Sequence, residues 1–188
     1  CFAIHHHPAT RHVMPVRKAL GVPTIFNLLG PLTNPAGAGR QLMGVYDERF
    51  LDVIAETLDR LGTRRAAVLH SKDGLDECSI SAPTTIVQVH EGDITRNVVA
   101  PEDVGLSSAS RESVTAGDLD HATSMIRGIV DGSLKGPPRD MALLNAAVAL
   151  MTCDRCESIQ DGVGLAAESI DSGHAMQTLE TLVRCSKG

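Results

Sequence analysis

No run of apolar residues in this chain approaches the roughly 20 that a membrane-spanning helix requires, which excludes a helical membrane protein. A surplus of basic charge is missing too: 17 Lys and Arg stand against 23 Asp and Glu, for a formal net charge of -6. Nucleic-acid binding calls for clustered Lys and Arg in excess, so that partner is disfavoured. Phosphate ligands stay open, because a metal ion can carry positive charge locally. Nor is there a disulfide framework. The five cysteines, at positions 1, 78, 153, 156 and 185, are odd in number and irregular in spacing, so a reducing, cytoplasmic compartment is expected. Cys153 and Cys156 form one CxxC, but no second CxxC or HxxxH accompanies it. HExxH, GxSxG and Walker sequences are absent, and with them the signatures of zinc proteases, serine hydrolases and P-loop nucleotide hydrolases. The chain opens on "CFAI", inside an apolar segment, with neither an initiator Met nor the basic start of a signal peptide. It is expected to be the later part of a longer polypeptide.

What is present is the composition of an ordinary globular protein, 43% hydrophobic and 21% charged. A chain of 188 residues suffices for a single domain, 1–188. From Pro8 to Leu20 the residues Val13, Val16 and Leu20 recur at helical spacing, with Gly21 as the stop. "TIFNLLGPLTNPAGAG" is an apolar segment running into a Gly, Pro and Asn cluster that reads as loop. "QLMGVYD" reads as a buried strand, Glu48 to Leu61 as a helix with Phe50, Val53, Ile54, Leu58 and Leu61 on one face, and "RAAVLH" as a second strand. Strand, helix, strand predicts a parallel crossover, and ligands in open α/β sheets collect beyond the carboxyl ends of the strands. "TTIVQVHEGDITRNVV" alternates and turns at "EGD", which predicts a hairpin and therefore a mixed sheet. Helices follow: one with Leu119, Ala122, Ile126, Ile129 and Val130 on its face, a buried one over "RDMALLNAAVALM" after Pro137 and Pro138, and two more near 163–170 and 175–183. The expected fold class is α/β, with a mixed, largely parallel sheet flanked by helices.

"LHSKDGLDECS" follows the second strand and carries adjacent carboxylates, Asp76 and Glu77, after a glycine turn. Two readings stand: a solvated turn, or a site for a hard divalent cation such as magnesium, which takes one or two carboxylates together with water and substrate phosphates. A glycosidase pair is disfavoured, since adjacent side chains have no reason to flank a sugar. Arg17, on the first helix beside a glycine-rich loop, could hold a small carboxylate in its guanidinium fork or could be an exposed helix charge. His5, His6 and His7 cannot all point one way on a strand, which argues against a three-His zinc site.

The segments "HHPATRHVMPVRKALGVPTIFNLLGPLTNPAGAGRQLMGVY", "DGLDE" and "PPRDMALLNAAVAL" occur in one order. Together they resemble the C-terminal half of the anthranilate phosphoribosyltransferase family, and the resemblance covers essentially the whole chain. It implies a domain like the C-terminal one of nucleoside phosphorylases and phosphoribosyltransferases. The implied reaction is the magnesium-dependent transfer of a 5-phosphoribosyl group from phosphoribosyl diphosphate to the amine of anthranilate, a step of tryptophan biosynthesis. By the same resemblance Asp76 and Glu77 contribute to Mg2+ binding, Arg17 places the anthranilate carboxylate, His7 lines the path of the aromatic substrate, and Gly30 and Pro31 of "LLGPL" form a turn beside that pocket. Thr10 stands where the family often carries Met or a larger residue, which bears on the substrate channel. No catalytic acid or base is implied, because a neutral amine nucleophile needs positioning more than a strong base.

The family's N-terminal half is not present: its helical domain used in homodimerisation, its "GTGGD" diphosphate loop and its "KHGNR" region. The polypeptide alone is therefore expected to be inactive, a folded piece of a longer enzyme. Two other functions are set beside this one. A pyrimidine nucleoside phosphorylase-like enzyme would share the fold, but its motifs are not visible. A non-catalytic nucleic-acid-binding relative is opposed by the net charge of -6 and the intact "DGLDE".

Overall fold

In the computed structural model, residues 12–22, 24–34 and 36–187 are described. Their strands are β1 (Arg40–Gly44), β2 (Arg65–Ser71), β3 (Thr84–His90) and β4 (Asp93–Val99), in the order β1-β2-β3-β4. β1 and β2 pair parallel, joined by the crossover helix α3 (Leu51–Arg60), while β2–β3 and β3–β4 pair antiparallel. The sheet is mixed, as expected, but one pairing of its three is parallel, so "largely parallel" is corrected. The physical reason lies in the links: only β1–β2 has a helix between its strands to reverse the chain. β3 and β4 are joined by Glu91-Gly92, both at positive φ (50° and 92°), the conformation of a two-residue hairpin whose twist matches its strands.

β2 is buried on both faces, and its alternation assigns side chains to two cores. Ala66 and Val68 join Met43, Val45, Val87 and Val89 against α3, with Leu28 of α2 (Phe26–Leu32) completing that layer. Ala67 and Leu69 join Ile86 on the other face, against Leu144, Ala147, Val148 and Met151 of α5 (Pro137–Thr152). Complete burial of a Leu or Val contributes roughly 1.5–3 kcal/mol, so these two faces hold the fold. On α3 the buried stripe is Leu51, Ile54, Ala55 and Leu58, the i, i+3, i+4, i+7 set of a helix. Val53 and Leu61 of the expected face are 51% and 60% exposed. β4 is an exposed edge, and its Arg96 reaches Glu48 (2.8 Å) and Asp52 (2.9 Å), a charged rim that discourages pairing with another strand.

α1 (Met14–Leu20) ends at Gly21 in a left-handed conformation, φ 63°, as its sequence predicts. α2 is a correction: "FNLLGPL" is helical rather than the start of a loop. Pro31 lies inside it, and its missing N–H leaves out one rung of the short ladder, the one to Asn27 O. α4 (Leu119–Val130) buries no residue, and Leu119 and Ile126 of its expected face are 80% and 58% exposed. α5 is introduced by Pro137 and Pro138, residues preorganised for a first helical turn. Past its end, Asp154 accepts hydrogen bonds from Arg40 (2.6 Å) and Arg65, fastening the starts of β1 and β2. α6 (Ile159–Asp171) and α7 (His174–Lys187) complete the chain. No helix among the described residues is long and apolar enough to cross a membrane.

α6 approaches α5 where Gly162 meets Ala147; a Cβ on Gly162 would lie 2.9 Å from the Cα, Cβ and O of Ala147. That is inside contact distance and against backbone, so the helices would have to separate. Gly162→Ala is expected to destabilise the protein by about 1–3 kcal/mol, seen as a melting transition several degrees lower. An unshifted transition would show that the helix pair yields without cost.

Candidate functional site

The parallel pair β1–β2 brings its two carboxyl ends to one edge of the fold. There Gly44 and Val45 leave β1, and residues 72–83 form the loop between β2 and β3. Gly74, at φ 89°, turns the loop back, with Gly74 N–H bonded to Ser71 O (2.9 Å) and Ser71 N–H to Leu75 O (2.9 Å). Asp76 and Glu77 come next, both exposed. The ion pairs among the described residues engage Asp47, Glu48, Asp52, Glu56, Asp154 and Asp171, and neither member of this pair. Among the same residues no group of three or more His, Cys, Asp or Glu side chains is placed to hold a metal ion. Two free carboxylates without a protein cage suit a hard cation that keeps waters and substrate phosphate oxygens, and do not suit a closed zinc or calcium site.

The loop is braced from within by Asp73. Its Oδ2 accepts from Ser79 Oγ (2.6 Å) and Ser81 Oγ (2.5 Å), and its Oδ1 from Leu75 N–H (3.4 Å). Burial raises the Asp73 carboxyl, but the hydroxyl and backbone donors together lower it to about 2. Because that value lies below an unfolded aspartate's, the stabilisation is complete above about pH 4 and is lost as the pH falls toward 2. Amide exchange across residues 73–81 is expected to accelerate in that window. Asp73→Asn should abolish the step and cost on the order of 1–2 kcal/mol at neutral pH. A variant that keeps the acid-induced step would assign it to another group.

Among the contacts that reach the loop from outside, two flank the acidic pair. Asn145 of α5 donates from Nδ2 to Cys78 O (2.8 Å) and accepts at Oδ1 from Cys78 N–H (2.8 Å). On the β1 side, a Cβ built on Gly44 would lie 1.7 Å from the Asp76 carbonyl oxygen. Cys78 itself is buried, and burial pushes its thiol up to about 12, so it packs in the core rather than acting as a ligand. Cys153 and Cys156 are free thiols beyond the end of α5, at the other end of the strands.

Arg17 lies at the corner of α1 and α2, where its Nη2 donates to Asn27 Oδ1 (3.3 Å). The same oxygen accepts from Thr24 N–H (3.0 Å). Arg17, Met14, Lys18, Gly21, Val22 and Asn27 line an open pocket of about 320 Å³. Gly30 and Pro31 are helical residues of α2, not a turn, which corrects the expectation for "LLGPL". Pro31 O accepts from Gln41 Nε2 (3.0 Å) and lines a different pocket, of about 230 Å³. His7 and Thr10 lie outside the described residues. Asp76 and Glu77 are thus brought together, while Arg17 and Pro31 line separate pockets. Asn27, Gly44, Asp73 and Asn145 are the residues that sequence reasoning missed; all four lie inside segments that carry the resemblance, but nothing in those segments singles them out.

A model of the glycosyl transferase family, a/b domain, matches residues 1–176. The anthranilate phosphoribosyltransferase of Thioalkalivibrio sulfidiphilus is 45% identical over 182 residues, covering 97% of this chain and 54% of that protein. A crystal structure of the anthranilate phosphoribosyltransferase from Thermus thermophilus superposes with a TM-score of 0.88 at 40% identity, over 97% of this chain and 54% of that one. The Saccharomyces cerevisiae enzyme, solved in complex with 4-fluoroanthranilate and in complex with PRPP and Mg, gives TM-scores of 0.82 and 0.83 at 26% and 27% identity. Those matches cover 93% of this chain and 51% and 50% of the yeast chains. The chain spans about half the length of the curated relatives it matches. With the family model extending over nearly all of its residues and the α/β fold in agreement, the chain belongs to the glycosyl transferase family, whose a/b domain it carries.

Proposed function

We propose that these residues serve the transfer of a 5-phosphoribosyl group from phosphoribosyl diphosphate to the amine of anthranilate. Asp76 and Glu77 then take part in holding Mg2+, and Arg17 receives the anthranilate carboxylate. The single observation that carries this reading is the exposed Asp76–Glu77 pair, presented at the carboxyl end of a parallel strand in a chain so similar to anthranilate phosphoribosyltransferases. Support for the ligands comes from the yeast relative, solved with PRPP and Mg and with 4-fluoroanthranilate. His7 and Thr10 line the aromatic substrate's path in this reading, and Gly30 and Pro31 contribute to the wall of that region from α2. Homodimerisation, which the resemblance assigns to sequence outside this chain, and a cytoplasmic setting belong to the same proposal.

The chemistry follows from the charges. As the bond from the anomeric carbon to the diphosphate breaks, its electron pair leaves on the diphosphate and positive charge grows on the ribose. The anthranilate nitrogen forms the new bond to that carbon and gives its proton to solvent. When bound, magnesium supplies charge neutralisation at the leaving diphosphate. The task of Asp76 and Glu77 is to fix oxygen donors at that spot, since charge stabilisation is effective when the groups are already in place. Arg17, with its planar fork, orients the acid so that the amine faces the anomeric carbon.

The reading is tested with a polypeptide of the relatives' full length that contains these residues. It should consume anthranilate, followed by its fluorescence, only with phosphoribosyl diphosphate and Mg2+ present. The 188 residues alone should show no turnover. Failure of the longer polypeptide to consume anthranilate would remove the assignment.

A further inference from the structure

We propose that Gly44 and Asn145 are positioning residues for the Asp76–Glu77 pair, gripping the peptide chain on either side of Glu77 so that the two carboxylates are presented in one arrangement. This rests on the reading of that pair as a magnesium site.

Asn145 behaves as a strand edge reduced to one side chain. Its amide exchanges two hydrogen bonds with the N–H and C=O of Cys78, both at 2.8 Å, and its second Nδ2 hydrogen goes to Met141 O at 2.9 Å. Each amide donor is committed, so the side-chain amide cannot reverse its orientation without breaking bonds. The buried Cys78 backbone, beyond the reach of a ladder partner in β3, has both of its polar groups satisfied by this one residue. Two residues earlier, the other grip is steric. A Cβ on Gly44 would lie 1.7 Å from Asp76 O, 2.6 Å from Asp76 C and 3.1 Å from Asp76 Cβ. Gly44 is not among the residues with positive φ, so alanine would suit its own backbone. What glycine provides here is room for Asp76. Between a pin at residue 76 and a pin at residue 78, Glu77 has little freedom to move its Cα, yet both carboxylates remain exposed. The fold needs no acidic pair at that place, whereas a cation held by only two protein groups depends on their spacing. Partners that orient ligands in this way typically change metal affinity by about 10- to 100-fold when removed.

The experiment titrates Mn2+ alone into the full-length chain and reads free Mn2+ by electron paramagnetic resonance, with amide exchange at Cys78 followed in parallel. Asn145→Ala and Gly44→Ala should each weaken Mn2+ binding by about 10-fold or more, and the first should also deprotect the Cys78 amide. Asn145→Leu keeps the volume of the side chain but loses both bonds to Cys78, so it should match Asn145→Ala; it also carries the test should Gly44→Ala not fold. Leu58→Ala, in the core against the other sheet face, should lower the melting temperature and leave Mn2+ affinity unchanged. Wild-type Mn2+ affinity in the Asn145 variants, with Asp76→Asn losing it, would overturn the positioning role while leaving the metal reading intact. Equal weakening by Leu58→Ala would reduce the effect to general destabilisation and also overturn it. No Mn2+ binding by the parent, or binding indifferent to Asp76→Asn, would overturn the metal reading and this proposal with it.

Discussion

Asp76→Asn, introduced into a full-length chain, is expected to lower magnesium-supported phosphoribosyl transfer by about 100-fold, some 2.7 kcal/mol of transition-state stabilisation. The substitution keeps the shape of the side chain and removes the charge that a hard cation requires. Because Asp76 is exposed and makes no ion pair among the described residues, folding should be insensitive to it, with stability changing by less than about 0.5 kcal/mol. A large kinetic loss with an unaltered melting curve therefore reports chemistry rather than collapse. The Mg2+ concentration for half-maximal rate should rise in parallel, and Glu77→Gln should behave alike. Activity equal to the parent's at limiting Mg2+ would return the pair to the status of a solvated turn.

The second expectation concerns the acceptor substrate. Arg17→Ala should raise the KM for anthranilate by about 10- to 100-fold, the range for loss of a charge-assisted hydrogen-bonded contact, with a smaller effect on kcat. Arg17→Lys should recover part of the loss, because an ammonium offers charge without the fork. The guanidinium is held by a 3.3 Å bond to Asn27 Oδ1 and a 3.9 Å contact with Met14 Sδ, both weak enough to be exchanged for a carboxylate. α1 buries no residue, so the variant should remain folded. An unchanged anthranilate KM, with a raised KM for phosphoribosyl diphosphate instead, would move Arg17 to the other substrate.

Much of the scaffold behind these expectations is legible in the residues. "RAAVLH" is apolar with little interruption because β2 is covered on both faces, and "HEGD" marks its turn through a Gly that adopts φ 92°. The acidic pair is visible as a motif, since its chemistry needs two carboxylates and nothing remote. α2 is hidden in the sequence because Gly30 and Pro31 suggest a break, while the helix runs through both. The face of α3 is misread by including Val53 and Leu61, residues as apolar as those buried; only the sheet against which it lies selects Leu51 and Ala55.

The sequence by itself determined the class of the fold, the crossover and hairpin, and the chemical identity of the residues proposed to face the ligands, because these depend on local pattern and on side-chain type. Tertiary structure alone decided that one strand pairing of three is parallel, that Arg17 and Pro31 line separate pockets, and that the acidic pair is gripped from both sides. Gly44 lies 32 residues before Asp76 and Asn145 lies 67 after Cys78. Both lie in segments that carry the resemblance, yet their part is not legible there, since one works by lacking an atom and the other by meeting a backbone that folding alone brings within 2.8 Å.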